Sequence, residues 1–394
     1  MISSPTCPAC GTVCTEGRCG KICPACLLQL ALGGAPLPPP ADNHAGAPHT
    51  QLASFPPAEL AGTHVGRYKL LEQIGEGGFG VVWMAEQNVP VPRRVALKII
   101  RPGLDTREAI ARFEAEWRVL AMMQHPNIAS VFDGGATATG RPYFVMELVR
   151  GLPITSYCDA RHLATRERLE LFLAVCLAVQ HAHQKGVIHR DLKPSNILVT
   201  INDDRAVPKV IDFGVAEESQ ASATVKSCLQ RPNQRVGTPA YMSPEQAGLG
   251  HIDVDARSDV YSLGVLLYEL LTGRLPLDPQ SLPVDGWDAV MRTIREEVPP
   301  RPSTRLGALA EVELAAVAAN RGVQAATLVG LVRGALDGIV MKALEKDGRR
   351  RYGTVRGLAA ALQRHLDGTT VGGRAGRRAA RLMADGASAC RPRE

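Results

Sequence analysis

The apolar residues of this chain keep different periods in different stretches, and each change of period marks an element. Ile74-Gly75-Glu76-Gly77-Gly78-Phe79-Gly80-Val81-Val82 lies between two apolar, strand-like runs, and Val95-Ala96-Leu97-Lys98 predicts a further strand. From Thr106 to Met123 the pattern is charged and periodic, as expected of a helix that packs Met122 and Met123 and stops at His125-Pro126-Asn127-Ile128. Leu169 to Val179 is the longest apolar stretch. It falls short of the roughly 20 residues a bilayer span needs, so a buried helix is expected. Ile197-Leu198-Val199 predicts a short strand. Ala35 to Thr63 is rich in Pro and Ala with few large apolar residues, too little hydrophobic area to offset the entropy of ordering it. That segment is expected to be a linker.

Between the buried helix and the Ile197 strand lies His189-Arg190-Asp191-Leu192-Lys193-Pro194-Ser195-Asn196, with Asp212-Phe213-Gly214 shortly after. Moving a γ-phosphate requires a carboxylate to take the hydroxyl proton, a cation beside the transferred group and oxygen ligands for magnesium. Asp191, Lys193 and the pair Asn196/Asp212 supply these types in turn. The spacing of the Asn, the apolar strand and the downstream Asp-Phe-Gly are three further conditions met together. The upstream G-x-G-x-x-G-x-V phrase is weaker alone, since glycine triplets also occur in dinucleotide folds and ordinary turns. Lys98, carried back under it by the next strand, favours phosphate, because Gly75, Gly77 and Gly80 let the backbone approach without a Cβ in the way. Glu108, Glu114 and Glu116 are the candidates to hold the Lys98 side chain; the alternative is that all three form a solvated helix face.

These phrases, with Arg112-Phe113-Glu114-Ala115-Glu116, Gly186-Val187-Ile188-His189, Val236-Gly237-Thr238-Pro239-Ala240-Tyr241-Met242-Ser243-Pro244-Glu245-Gln246 and Ser258-Asp259-Val260-Tyr261-Ser262-Leu263-Gly264, resemble eukaryotic-type protein kinases. The closer similarity is to bacterial Ser/Thr kinases of planctomycete-like genomes, over about three quarters of the chain, from Tyr68 to Leu366. The resemblance implies an α+β, two-lobed fold, a small β-rich lobe over 65–149 and a larger helical lobe over 150–367, with ATP in the cleft between them. It implies Asp191 as catalytic base, Lys193 on the γ-phosphate, Asn196 and Asp212 on magnesium and, counting back from His125, Glu116 as the partner of Lys98. Ile74, Gly75, Gly77, Gly80, Val82, Ala96 and Leu198 would enclose the nucleotide, behind which Met146 is the gatekeeper and the Glu147 and Val149 backbones meet the adenine edge. Glu245 would pair with Arg351, and Asp259 would anchor the catalytic loop backbone. His125 and His189 are expected to make structural hydrogen bonds. Lys193 and Thr238 point to Ser/Thr acceptors. Arg190, beside the catalytic Asp, suggests an anion from phosphorylated Ser219, Ser222, Thr224 or Ser227; an unmodified loop is the alternative. Two departures, Gly338 where relatives carry Trp and Leu277 where Phe is common, are expected to thin the packing of the large lobe.

Residues 1–30 are a different object. Six of the ten cysteines fall here, as Cys7-Pro8-Ala9-Cys10 and Cys23-Pro24-Ala25-Cys26 with Cys14 and Cys19 between. Two such knuckles suit tetrahedral thiolate binding of zinc, although the connecting loop is short and the two extra thiols leave the ligand set open. A disulfide framework competes, disfavoured because no signal peptide precedes it and ATP use implies a reducing cytosol. A protein partner for this zinc-ribbon-like module is expected rather than nucleic acid, since only Arg18 and Lys21 are basic and no aromatic residue is interleaved. Residues 31–64 form the linker.

Composition alters little. The net charge of +6 is concentrated in the segment 368–394, where Arg374, Arg377, Arg378, Arg381, Arg391 and Arg393 face few acids; such tails are mostly solvated, though phosphate or anionic lipid can bind them. Cys158, Cys176 and Cys228 have no ligand spacing. Three function classes follow: an active cytoplasmic Ser/Thr kinase using Mg-ATP on a protein substrate, a pseudokinase serving as a regulated scaffold, and a zinc-ribbon adaptor whose kinase domain mainly binds nucleotide. Lys98, Glu116, Asp191, Asn196 and Asp212 are all present, which favours the first.

Overall fold

The structure, a computed structural model, describes residues 60–76, 80–100, 107–213, 239–248, 254–278 and 287–368; the side chains of 107–109, 112, 115, 116, 119 and 287 also lie outside the described set. The expected zinc knuckles, linker and basic tail therefore fall outside the described residues.

Six antiparallel strands make the smaller lobe: β1 (His64–Val65), β2 (Tyr68–Glu76), β3 (Gly80–Gln87), β4 (Arg93–Ile100), β5 (Val131–Ala136) and β6 (Pro142–Glu147), in the order β1-β2-β3-β4-β6-β5. The period of two in β4 divides its residues between faces. Val95, Leu97 and Ile99 join Tyr68, Leu70, Trp83 and Val145 in an outer core, whereas Ala96 and Ile100 join Phe144 and Met146 in the core that runs into the larger lobe. Lys98 has the parity of Ala96 and Ile100, so the strand itself delivers the ammonium to the cleft side. Gly80 is the one residue type that fits where β3 opens: a Cβ there would lie 2.7 Å from the Ile99 carbonyl oxygen. The expected helix is present as α1 (Arg107–Ala121).

The larger lobe is helical. After β7 (Leu152–Pro153) and α2 (Ile154–Ala160), the predicted apolar helix is α3 (Thr165–Gln184), with Leu169, Phe172, Val175, Cys176, Ala178, Val179 and Ala182 buried. Its partner α4 (Ala256–Thr272) is buried from Ser258 through Tyr268. Asp255 caps α4 by accepting from the Arg257 amide at 2.8 Å, and Gly273, at φ 67°, ends it in the left-handed conformation that costs glycine least. Between these helices β8 (Ile197–Asn202) pairs with both β7 and β9 (Arg205–Val210) in a three-stranded sheet. The lobe is completed by α5 (Trp287–Glu296), α6 (Pro302–Gly307), α7 (Glu311–Ala319), α8 (Ala325–Val332), α9 (Ala335–Ala343) and α10 (Val355–Leu366). No helix among the described residues is long and apolar enough to cross a membrane.

Three packing expectations change. Met123 is buried, but Met122 lies past the last residue of α1 and is 58% exposed, so it is not helix packing. Gly338 sits on the exposed side of α9, and a Cβ there would meet nothing within 4 Å; its lack of a side chain thins no core. Leu277 is buried against Ala247, Val290, Met291 and Ile294, a small cluster that it fills itself. Cys158 and Cys176 are buried thiols, and burial pushes Cys158 up to about 11.

Candidate active site

The catalytic-loop phrase occupies the turn between α3 and β8, where the chain must reverse inside the core and pair its backbone without a regular element. Asp259, fully buried in the first turn of α4, does this: its Oδ2 accepts from the His189 amide at 2.8 Å and its Oδ1 from the Arg190 amide at 2.9 Å. His183, from the end of α3, sets Nε2 2.7 Å from the same carboxylate. His189 is fully buried, with Nε2 3.1 Å from the Ile211 carbonyl and Nδ1 accepting from the Asp191 amide at 3.3 Å. Burial lowers its pKa against the pull of nearby Asp259 and Asp191, so the ring stays neutral near pH 7. Phe213 stacks on it with centroids 4.5 Å apart. His125 also makes a local bond, its Nδ1 accepting from the Asn127 amide at 3.1 Å.

This frame presents Asp191. Lys193 Nζ donates to Asp191 Oδ2 at 2.7 Å, and Asn196 Nδ2 donates to the same oxygen at 3.0 Å and to the Asp191 carbonyl at 2.8 Å. The carboxylate remains a quarter exposed, open to an incoming group. Across the cleft Lys98 Nζ lies 3.3 Å from Asp212 Oδ1, joining β4 to the segment after β9. Asp212 has φ 51° and Arg190 φ 67°, conformations unfavourable for residues with a Cβ and held here by the surrounding bonds.

Of the residues expected to enclose the nucleotide, Ala96 and Met146 are buried and face each other across β4 and β6, with Val82, Leu198 and Val149 partly buried and Ile74 exposed. A Cβ on Gly75 would touch Val82. The Glu147 amide already donates to the Ser130 carbonyl at 2.8 Å, so it is not available as a donor to a purine edge. The Glu147 carboxylate is also engaged, 2.9 Å from Lys209 Nζ.

At the far side Glu245 and Arg351 form a two-pronged pair. The structure thus brings together Asp191, Lys193 and Asn196, Lys98 with Asp212, and Glu245 with Arg351. Gly77, the side chain of Glu116, Thr238 and the loop hydroxyls Ser219, Ser222, Thr224 and Ser227 lie outside the described residues, as do Cys7, Cys10, Cys14, Cys19, Cys23 and Cys26. Sequence reasoning missed His183, Ser258 and Gln246. All three act through backbone or carboxylate partners distant in sequence, and His183, eight residues before Asp191, carried no signal beyond its place at the end of an apolar helix.

The protein kinase domain family matches residues 68–359. The chain is 35% identical over 322 residues to the serine/threonine-protein kinase Pkn1 of Myxococcus xanthus, covering 81% of this chain and 41% of that protein. It is 40% identical over 243 residues to PknA of Mycobacterium tuberculosis, covering 60% and 53%. It therefore spans about half or less of these relatives' length. The crystal structure of the Mycobacterium tuberculosis PknI kinase domain superposes with a TM-score of 0.53 at 26% identity, covering 78% of this chain and 99% of that one. With a two-lobed fold, a matched domain and bacterial serine/threonine kinases as relatives, this chain belongs to the protein kinase domain family.

Proposed function

We propose that this chain is an ATP-dependent serine/threonine protein kinase that transfers the γ-phosphate of Mg-ATP to protein hydroxyls. The observation that carries the reading is the setting of Asp191: one oxygen takes bonds from Lys193 and Asn196 while the carboxylate stays partly open to the cleft. There it accepts the proton of an incoming Ser or Thr hydroxyl, and Lys193 stabilises negative charge on the transferred group. Lys98 neutralises the remaining phosphates, its stem fixed by β4. Asn196 spends its Nδ2 on Asp191, so its amide oxygen, together with the Asp212 carboxylate, would supply the hard oxygen donors magnesium prefers. When bound, the metal offsets charge on the phosphates. Thr238 would hold the short nucleophile in reach. Autophosphorylation at one or more of Ser219, Ser222, Thr224 and Ser227, with the phosphate paired to Arg190, orders the loop in this reading. Zinc held by Cys7, Cys10, Cys23 and Cys26 makes the N-terminal module a protein-docking element.

The test is transfer from radiolabelled ATP by purified protein to a generic basic protein substrate, with Asp191→Asn as control. Label in the wild type and none in the variant is expected. Equal labelling sinks the mechanism, and no labelling of any acceptor by wild type favours a nucleotide-binding scaffold.

A further inference from the structure

Gln246 directly follows the Ser-Pro-Glu phrase, and both ends of its amide are engaged. Oε1 accepts from the Ser243 amide and from Ser243 Oγ, both at 3.0 Å, while Nε2 donates to the Arg190 carbonyl at 2.7 Å across 56 positions of sequence. Ser243 is completely buried, so the first anchor is rigid. The second falls on the peptide unit that joins Arg190 to Asp191.

We propose that Gln246 is a positioning residue for Asp191, a single side chain that fixes the segment at Ser243 and the carbonyl before the catalytic carboxylate in one register. The inference rests on the proposed kinase reading for what Asp191 does, but its structural content does not.

Arg190 is held in the left-handed region at φ 67°, where a side-chain-bearing residue stays only if its neighbours over-determine it. Its amide is fixed by Asp259 and the Asp191 amide by His189 Nδ1. The carbonyl oxygen between them is the remaining polar group of that peptide unit, and Gln246 is its side-chain donor. Loss of the donor lets the unit rotate toward negative φ, which strains the bonds that Asp191 makes to Lys193 and to Asn196, whose own backbone is tied to Ile211. Because the same amide grips Ser243, displacement of the segment that starts at Pro239 is passed to Asp191 through one residue.

Gln246→Glu separates donor from acceptor. It keeps the length and the oxygens that serve Ser243 but, ionised, puts a carboxylate against the Arg190 carbonyl; protonated, it regains a donor. Gln246→Met keeps the length and loses both functions. We expect kcat to fall about tenfold in each, the loss of one buried hydrogen bond in the transition state, with the KM for ATP unchanged. On acidification the ratio of Gln246→Glu to wild type should rise, while that of Gln246→Met stays flat, a pattern loose packing alone does not produce. Either variant within twofold of wild-type kcat, or parallel pH profiles for the two, overturns the proposal. If the wild type transfers no phosphate, the kinase reading has failed separately. Hydrogen exchange across residues 187–193 then decides: faster exchange in Gln246→Met sustains the clamp, and unchanged protection overturns it.

Discussion

Arg351 grips Glu245 with both arms of its guanidinium, Nη1 to Oε1 at 2.7 Å and Nη2 to Oε2 at 2.8 Å, across 106 positions of sequence. Ser258 Oγ adds a bond to Oε1 at 2.5 Å, and Arg351 also donates to the carbonyls of Arg257, Glu345 and Lys346. The arginine is buried at 4% exposure. One ion pair thus joins the Ser-Pro-Glu segment, the start of α4 and the turn before α10. Breaking a buried pair leaves the survivor uncompensated, so Arg351→Met should lower unfolding stability by about 3–5 kcal/mol in urea. A loss under about 1 kcal/mol would show that the site is wetter than the distances suggest.

The same pair predicts an acid limit. Burial alone would push the Glu245 carboxyl up, but hydrogen bonds from Arg351, its charge and the Ser258 hydroxyl outweigh burial and hold it below its ordinary value of 4.5. A carboxyl depressed in the folded state contributes stability that is fully present above the unfolded pKa and is lost as pH falls through the folded one. Wild-type stability should therefore drop below about pH 4.5 more steeply than that of Glu245→Gln, which has no proton to take up. Parallel stability curves for the two proteins between pH 5 and 3, on an order-of-magnitude titration window, would remove Glu245 as a source of that dependence.

Lys98 and Asp191 should separate binding from chemistry. Lys98 pairs with Asp212 across the cleft, whereas Asp191 is bonded to Lys193 and Asn196. Asp191→Asn should lower kcat by about 100-fold or more, the usual worth of a positioned base, and leave Mg-ATP affinity nearly unchanged by calorimetry. Lys98→Met should lose activity and weaken nucleotide binding as well. Matching losses of affinity in both variants would place Asp191 on the nucleotide rather than on the acceptor.

The contiguous part of this site was legible in the chain because its residues sit within one turn: Asp191, Lys193 and Asn196 need only a fixed spacing to converge. Lys98 was legible through its place on the strand after the glycine phrase. The Glu245–Arg351 pair came from resemblance, since nothing local in either phrase identifies the other. Gln246 and His183 were not legible, because their partners, the Arg190 carbonyl and the Asp259 carboxylate, lie 56 and 76 positions away and nothing local in the chain points to them. Gly338 misled for a related reason: an expected aromatic says nothing about which side of α9 a position faces, and here that side is open.

Asp259 carries a consequence for turnover. It takes the amides of His189 and Arg190 and the ring of His183, three donors from two elements. Asp259→Ala should reduce kcat by about 10–100-fold through disorder of the loop that presents Asp191, and should speed hydrogen exchange at residues 188–191. Intact exchange protection with reduced kcat would mean that Asp259 acts by charge alone.

The cysteines at the N-terminus give a prediction independent of the cleft. Two Cys-x-x-Cys knuckles suit one zinc ion, and about 30 residues are too few to build a core without such a staple, so the metal would supply the folding free energy of the module. Purified protein should then contain about one equivalent of zinc. Cys7/Cys10→Ser should abolish it, whereas Cys14/Cys19→Ser should retain it, because the outer pairs have the spacing that lets two thiolates reach one ion. Turnover of a generic peptide should survive zinc-selective chelation at saturating magnesium, and deletion of the residues before Thr63, since none of those cysteines enters the proposed phosphoryl transfer. Full zinc content in Cys7/Cys10→Ser would move the ligand set to Cys14 and Cys19, and a metal-free wild type with no free thiol among these six would turn them into a disulfide framework.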